Sequence, residues 1–467
     1  MKYENLINGK LIRTPAQMDI INPATEMAFA TVFPVSSADM NNAIETAKEA
    51  FEGWSKTSLA ERQELLHQIA DIIDQNKDTL ARALTQEQGK VLREAIGEIE
   101  LAVLYCRHVT GMHIPCEILQ DDVHQRVEAH QKPLGVVAAI IPWNYPIFVM
   151  INKLAPALLA GNTIIVKPAP STPVSSLMFG QMVKDIIPNG VVSIIADDGS
   201  LGPLLTAHPS ITKISFTGST ETGKAVLRNS VETIKRTTLE LGGNDAALLL
   251  EDVSEADLKE IFDTCFENSG QVCNTIKRLY VPADSYASVC KQMAHFAAQA
   301  VIGNGLDDKT DMGPVQNRAQ FDKINALIEQ SRQHGTIIAG GIPLRQKGYF
   351  ISPTIVADIG HGAPLVDQEQ FGPVLPIIRY TDTEDAIRCI NASPFGLSAS
   401  VWSKDNNHAL SVAHRIECGT VWINQHGVIG PHIPCAPMKQ SGLGTEGALE
   451  GLLSFTARQI INIKKQV

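Results

Sequence analysis

The hydrophobic positions divide the chain into a helix-patterned beginning and two stretches in which strands alternate with helices. Residues 43–53, 59–84 and 94–108 carry apolar side chains at spacings of three and four, which predicts amphipathic helices. Trp54 to Ser58 separates the first two, and Ser58 is placed to cap the second. The first hundred residues therefore read as helix-rich. Residues 125–133 are polar, alternating and bounded by proline, which predicts the arm of a hairpin.

From Gly135 the pattern changes. Residues 136–141, 163–167, 191–195 and 213–216 are apolar runs of strand length, with helical segments at 148–160, 175–187 and 199–207 between them. This alternation predicts a doubly wound α/β unit with a parallel sheet. A second alternation follows, with strands at 246–250, 278–281, 374–380, 398–401 and 420–423 and helices at 254–266, 285–300 and 384–390. The final segment, 455–467, contains Gln459-Ile460-Ile461-Asn462-Ile463-Lys464 and reads as an exposed strand in need of a partner.

Composition narrows the class. A chain of 467 residues exceeds one compact core, so two or more folding units are expected. With 44% apolar and 19% charged residues it is globular in type. A net charge of -11 argues against a nucleic-acid or anionic-membrane surface while leaving room for a local anion pocket. The start, Met1 to Asn5, lacks the apolar core of a signal peptide, and apolar runs such as 136–141 and 154–160 are too short to span a membrane. A cytoplasmic protein is expected, and the eight cysteines, without framework spacing, suit reduced thiols there. His113–Cys116 and His432–Cys435 each lack a second ligand pair, so no metal is expected.

Three strand ends carry distinctive turns. Ile141 runs into Pro142-Trp143-Asn144-Tyr145-Pro146, Val166 into Lys167-Pro168-Ala169-Pro170, and Phe216 into Thr217-Gly218-Ser219-Thr220-Glu221-Thr222-Gly223-Lys224. In an open parallel sheet, ligands sit at such ends near a switch point. The last turn nearly matches a P-loop, but Ala225 stands where a hydroxyl would hold Mg²⁺, which excludes a nucleotide kinase or ATPase. A strand, a Gly/Ser turn and a helix start still form an anion site suited to a pyrophosphate. The bland alternative is an ordinary helix cap.

The reactive candidates are Cys273, approached by Ser269-Gly270-Gln271-Val272, and Glu240, before Leu241-Gly242-Gly243. A thiol attacks as thiolate and needs a lowered pKa or a base. The other seven cysteines read as inert. Gly242-Gly243 reads as a flexible break between the two units, from which a carboxylate can swing into a cleft. The Asn144 amide and the Cys273 backbone N–H are candidate donors to an oxyanion.

These segments, with Glu369-Gln370-Phe371-Gly372-Pro373-Val374, resemble in order and spacing the motifs of the NAD(P)-dependent aldehyde dehydrogenase superfamily. The resemblance runs from Ile21-Asn22-Pro23-Ala24-Thr25 to Lys439-Gln440-Ser441-Gly442-Leu443-Gly444. It implies Cys273 as nucleophile, Glu240 as the base for the deacylating water and Asn144 in the oxyanion hole. The implied cofactor is NAD or NADP. Lys167 and Glu369 would bind its ribose hydroxyls, Phe371 would pack near the nicotinamide, and Gly218 and Ser219 would lie at the pyrophosphate. Ile141, Pro142 and Trp143, then Ala169, Pro170 and Gly202, then Phe216, Thr217 and Thr222, then Leu241 and Gly242 would complete that site. Tyr145, Val149, Glu267, Val272, Asn274, His426 and Ile429 would line the aldehyde channel, where a Glu and a His sit poorly with a plain alkyl tunnel.

The implied protomer has three parts. Residues 1–113 and 133–241 form the cofactor-binding domain, 242–454 the catalytic domain, and 114–132 with 455–467 an oligomerisation arm of a homodimer or homotetramer. Three positions depart from the pattern. Pro170 stands where many NAD-preferring members carry Glu, which predicts relaxed cofactor choice. Cys435 interrupts a Pro-Phe-Gly-Gly segment, and Thr445 replaces a frequent Arg. Two other functions stay open: a CoA-acylating enzyme, which commonly lacks the Glu240 base, and a non-catalytic protein retaining the fold.

Overall fold

Apolar runs without polar alternation must be buried on both faces, and the first set does so in one sheet. The computed structural model describes residues 1–250, 253–344 and 346–466. Val136–Ile140, Thr163–Lys167 and Val192–Ile194 are parallel neighbours, and Ile211–Thr217 and Arg236–Glu240 extend the sheet on the opposite side of Val136–Ile140. The chain thus winds outward one way and then the other. The switch point lies between Val136–Ile140 and Ile211–Thr217, whose carboxyl ends carry the Pro142 and Gly218 turns.

Three antiparallel additions complete this sheet: Asn5–Ile7 and Lys10–Ile12 at one edge, Gly442–Leu443 at the other. The helix-rich expectation for the first hundred residues therefore misses the strands Lys2–Tyr3, Asn5–Ile7, Lys10–Ile12, Met18–Asn22 and Met27–Val32. Most are too short to show a period. Asn5 is fixed by its side chain instead, donating to the Phe33 carbonyl at 2.6 Å and accepting from the Ala196 N–H at 2.8 Å. The helix expected over 59–84 is two helices, Leu59–Gln75 and Lys77–Gln88. Asn76 ends the first by donating its side chain to the Ile72 carbonyl at 2.8 Å. Ser58 caps Leu59–Gln75 in a reciprocal box with Glu61.

The second set forms a seven-stranded sheet ordered Thr336–Ala339, Thr354–Ala357, Val374–Tyr380, Ile276–Pro282, Asp245–Leu249, Ser398–Trp402 and Thr420–Ile423. All but Thr336–Ala339 run parallel. Each sheet has its own buried layers: Val137, Leu154, Ile164 and Phe179 in the first, Leu248, Ile328, Val356 and Val401 in the second. The helices Pro146–Leu159 and Val174–Val183 flank the first sheet, and Glu255–Phe266 and Tyr286–Gln299 pack on the second.

The two outlying segments find each other. Glu117–Asp121 and Gln125–Pro133 form a hairpin, and Thr456–Lys464 pairs antiparallel with it from Thr456 opposite Pro133 to Lys464 opposite Gln125. Val467, the last residue of the expected strand, lies outside the described residues. Cys116 sits 3.7 Å from His130 Nδ1 on this arm, not on His113. Among the described residues no helix is long and apolar enough to cross a membrane.

Candidate active site

Cys273 sits just before the strand Ile276–Pro282, at the amino end of the second sheet, and Glu240 ends Arg236–Glu240, at the carboxyl end of the first. The sheets thus face each other end to end, and Leu241 to Asn244 is the crossing. The turn before Cys273 is tightly wound: Asn268, Ser269 and Gly270 have φ of 47°, 58° and 70°. A non-glycine residue held there costs about 1–3 kcal/mol, so the surroundings must impose it. Asn268 donates its side chain to the Asn144 carbonyl at 3.2 Å, Ser269 donates to the Gly313 carbonyl at 2.8 Å, and Gln271 accepts from the Gln316 N–H at 2.9 Å. A Cβ on Gly270 would come within 2.4 Å of the Gly372 carbonyl oxygen. The thiol is thereby presented on a fixed loop.

Beneath the loop lies Lys277, fully buried. Its ammonium donates to the Cys273 carbonyl at 2.6 Å and the Val272 carbonyl at 2.9 Å. Burial pushes the Cys273 thiol up to about 12, and Lys277 is the nearby charge that opposes this. His426, expected in the channel, stands behind the wall instead. Its Nδ1 meets Ser400 Oγ at 2.8 Å and its Nε2 meets the Asn274 carbonyl at 2.9 Å. Burial pushes its pKa down to about 3, so the neutral ring serves to hold the loop.

Glu240 is not on a hinge. Its backbone carbonyl accepts from Gly218 N–H at 3.0 Å, and the strand pairs with Ile211–Thr217 on one side and Gly442–Leu443 on the other. Only the side chain is free to turn. Its carboxyl is buried, which raises its pKa well above the usual range, and the charge of Glu446 raises it further. Glu446 in turn meets Lys153, and accepts from Ser215 at 3.0 Å and Asn152 at 3.1 Å. Cys435, expected to be inert, donates its thiol to Glu240 Oε2 at 3.5 Å. Lys153, Ser215, Glu446 and Cys435 carry no local pattern; only the fold brings them here.

Two cavities meet at Cys273. The larger, about 360 Å³, is lined by seventeen of the expected residues: Pro142, Trp143, Asn144, Tyr145, Val149, Thr217, Gly218, Ser219, Leu241, Gly242, Glu267, Val272, Cys273, Asn274, Glu369, Phe371 and Ile429. The smaller, about 140 Å³, is lined by Cys273 and Glu240 together, with Cys435 and Glu446. Asn144 is buried and donates one amide hydrogen to the Gln271 carbonyl at 2.9 Å, which leaves the second for the cavity it lines. Phe371 packs edge-on against Trp143, with ring centroids 5.3 Å apart. Glu369 accepts from the Gly243 N–H at 3.0 Å, and a Cβ on Gly242 would lie 2.4 Å from its other oxygen and push the carboxylate aside.

The remaining expected residues lie outside both cavities. Ile141 and Phe216 are buried in the sheet layers, and Ala169, Pro170 and Gly202 sit near the carboxyl ends of Thr163–Lys167 and Val192–Ile194. Lys167 is not a free ammonium: it pairs with the buried Asp197 at 2.6 Å. Ser219 caps its own helix by accepting from the Thr222 N–H at 3.3 Å, so the ordinary cap is present at that turn.

Residues 12–461 match the model of the aldehyde dehydrogenase family. A putative aldehyde dehydrogenase of Gibberella fujikuroi is 35% identical over 455 residues, covering 97% of each chain. Human retinaldehyde dehydrogenase 3 is 34% identical, covering 95% of this chain and 89% of its own. Among solved structures, the NAD⁺ complex of an aldehyde dehydrogenase from Bacillus cereus superposes with a TM-score of 0.97 at 32% identity, covering 100% of this chain and 97% of its own. A betaine aldehyde dehydrogenase from Staphylococcus aureus in complex with NAD⁺ gives 0.96 at 29% identity, covering 100% and 97%.

Proposed function

The chain belongs to the aldehyde dehydrogenase family and oxidises an aldehyde to its carboxylic acid with NAD or NADP, and from that premise we propose that Cys273 is the nucleophile and Glu240 the base for the deacylating water. The carrying observation is that these two residues, one ending a strand of the first sheet and the other just before a strand of the second, line one small cavity beside the larger one.

The larger cavity suits a dinucleotide. Thr217 Oγ1 is buried in its wall without a partner among the described residues, an orphan that a polar ligand would satisfy. Gly218, Ser219, Trp143, Glu369 and Phe371 are the residues proposed to hold it, with Lys167 at a ribose. When bound, the nicotinamide accepts the hydride.

Burial disfavours the charged forms of both the Cys273 thiol and the Glu240 carboxyl, so the thiol gives up its proton to solvent as sulfur attacks the aldehyde carbon, whose C=O electron pair moves onto oxygen. Asn144 and the Cys273 N–H donate to the oxyanion that develops; losing one such donor typically costs about 2.7–4 kcal/mol of barrier. The thioester left on Cys273 then meets water. In its ionised form Glu240 is proposed to take the water's proton on Oε1, which is buried without a partner among the described residues. Glu446 and Lys153 hold the charge around it.

Cys273→Ala is expected to abolish NAD(P)H formation. Glu240→Gln should give a burst of about one NAD(P)H per site followed by slow turnover. In the wild type, hydrolysis should accelerate as pH rises through the elevated Glu240 pKa, and the variant should lose that rise. Normal turnover by Glu240→Gln removes the base assignment. Acyl transfer to CoA in preference to water would favour the acylating alternative.

We further propose the three-part protomer set out above, associating through the arm as a homodimer or homotetramer. Six large apolar residues exposed on the arm support this: Ile118, Leu119, Val123, Ile460, Ile461 and Ile463. A cytoplasmic setting is supported by eight free cysteines.

A further inference from the structure

Apart from Lys277 behind the loop, the charges lining the cavities at Cys273 are one-sided. On the cofactor side the larger cavity holds Lys323 and Glu369, tied together where Lys323 donates to the Glu369 carbonyl at 3.0 Å. On the aldehyde side the charged lining is Glu267 in the larger cavity and Glu240 and Glu446 in the smaller, with no lysine or arginine among the lining residues. Glu446 is met by Lys153, and burial holds Glu240 toward its protonated form. Glu267 has neither compensation.

Its geometry is that of a presented carboxylate. Oε1 accepts from the Tyr145 hydroxyl at 2.6 Å, which fixes the group, and the residue is exposed. No ion pair reaches it among the described residues, and the nearby cations are engaged elsewhere. Lys90 lies 3.5 Å from the Tyr145 ring centroid and pairs with Glu98 at 2.6 Å. Arg93 donates to the Thr310 and Asp311 carbonyls at 2.7 and 2.6 Å. Lys259 pairs with Asp263 at 2.6 Å. The field of Glu267 is felt behind it, where Glu94 is raised to about 7 by burial and then by the Glu267 charge. Beside it Leu101, Phe148, Val149 and Ile429 supply an apolar wall, and the other polar lining there, Thr264, Asn274 and Thr275, is uncharged.

We propose that the substrate is an aldehyde bearing a cationic nitrogen, a quaternary or protonated amine, and that Glu267 receives that charge while the apolar wall packs around its methyl or methylene groups. This rests on the assignment of Cys273 as nucleophile, which sets where the carbonyl lies. An exposed carboxylate attracts a cation modestly, and the contact strengthens where the bound substrate and the apolar wall displace water; an anionic tail is disfavoured in the same sense. Glu267 is thus a specificity-determining residue, not a participant in bond making.

The test uses pairs differing only in charge. Trimethylammonioacetaldehyde and 3,3-dimethylbutanal have the same shape, as do 4-trimethylammoniobutanal and 5,5-dimethylhexanal; kcat/KM is measured for each with saturating NAD. The wild type should favour the cation of at least one pair by about fivefold, the upper end for a solvent-exposed charge contact. Glu267→Gln should bring the ratio to about one, and Glu267→Lys should shift preference toward an aldehyde carrying a carboxylate. Equal use of cation and neutral isostere by the wild type, or a ratio unchanged in Glu267→Gln, overturns the proposal. Oxidation of neutral aldehydes alone also overturns it and leaves the assigned reaction intact. NADH from no aldehyde of either charge overturns both.

Discussion

Lys277 shows how a single buried charge acts on the Cys273 thiol without touching it. A fully buried ammonium is costly unless its donors are satisfied, and here the Cys273 and Val272 carbonyls satisfy them. The same bonds orient the loop, and the charge opposes the burial that raises the thiol. Removing it disfavours the thiolate, so the thiol pKa rises and the thiolate fraction at any pH below it falls by the same factor. Lys277→Met is expected to slow iodoacetamide alkylation of Cys273 by about tenfold at fixed pH, the equivalent of one unit. Lys277→Arg should recover most of that rate. An alkylation profile that does not move, alongside reduced turnover, would leave Lys277 only the task of shaping the loop. No sequence pattern announces this residue, because its partners are main-chain oxygens.

At the level of elements, the strand-end turns were legible because each places special residue types where a parallel sheet delivers ligands: Asn144 after one strand, Gly218 after the next across the switch point. The short polar strand Arg236–Glu240 was not, since it lacks an apolar run and is held by pairing on both sides. Its consequence is large, because Glu240 turns from a hinge residue into a fixed one. Asp197 was also hidden. It follows the strand Val192–Ile194, whose neighbour Thr163–Lys167 ends in the lysine it pairs with. Relaxed cofactor choice was expected because Pro170 supplies no carboxylate; Asp197 supplies one to the same lysine. With Lys167 proposed at a cofactor ribose, a 2′-phosphate would meet the Asp197 charge at close range, and the neighbouring Asp198 adds to it. NAD is therefore expected to exceed NADP in kcat/KM by about tenfold or more, and Asp197→Asn to narrow that gap, chiefly through KM for NADP. Equal use of both cofactors by the wild type would remove Asp197 from this role.

For the whole molecule, the arm ties the chain's last strand to the same body that carries Glu446. Thr456–Lys464 follows directly from the helix Ala448–Leu453, and Glu446 lies just before that helix. Asn162 fastens the junction by donating to the Phe455 carbonyl at 2.9 Å. Beyond it, a three-stranded sheet with isoleucines outward is a poor surface for a monomer in water, because apolar area of this kind is buried by association. Ile461 and Ile463 share one face of the last strand, as residues two apart must. Replacing both with Asp puts like charges on that face without touching either cavity. Light scattering should give a multiple of 50.6 kDa for the wild type and a mass shifted toward one protomer for the double variant. The thermal midpoint should become lower and depend less on protein concentration, since association stabilises by mass action. Cys273 should keep its alkylation rate, because neither Ile461 nor Ile463 lines either cavity. A wild type that is monomeric at micromolar concentration, or a double variant that keeps the wild-type mass, would move the interface off this arm.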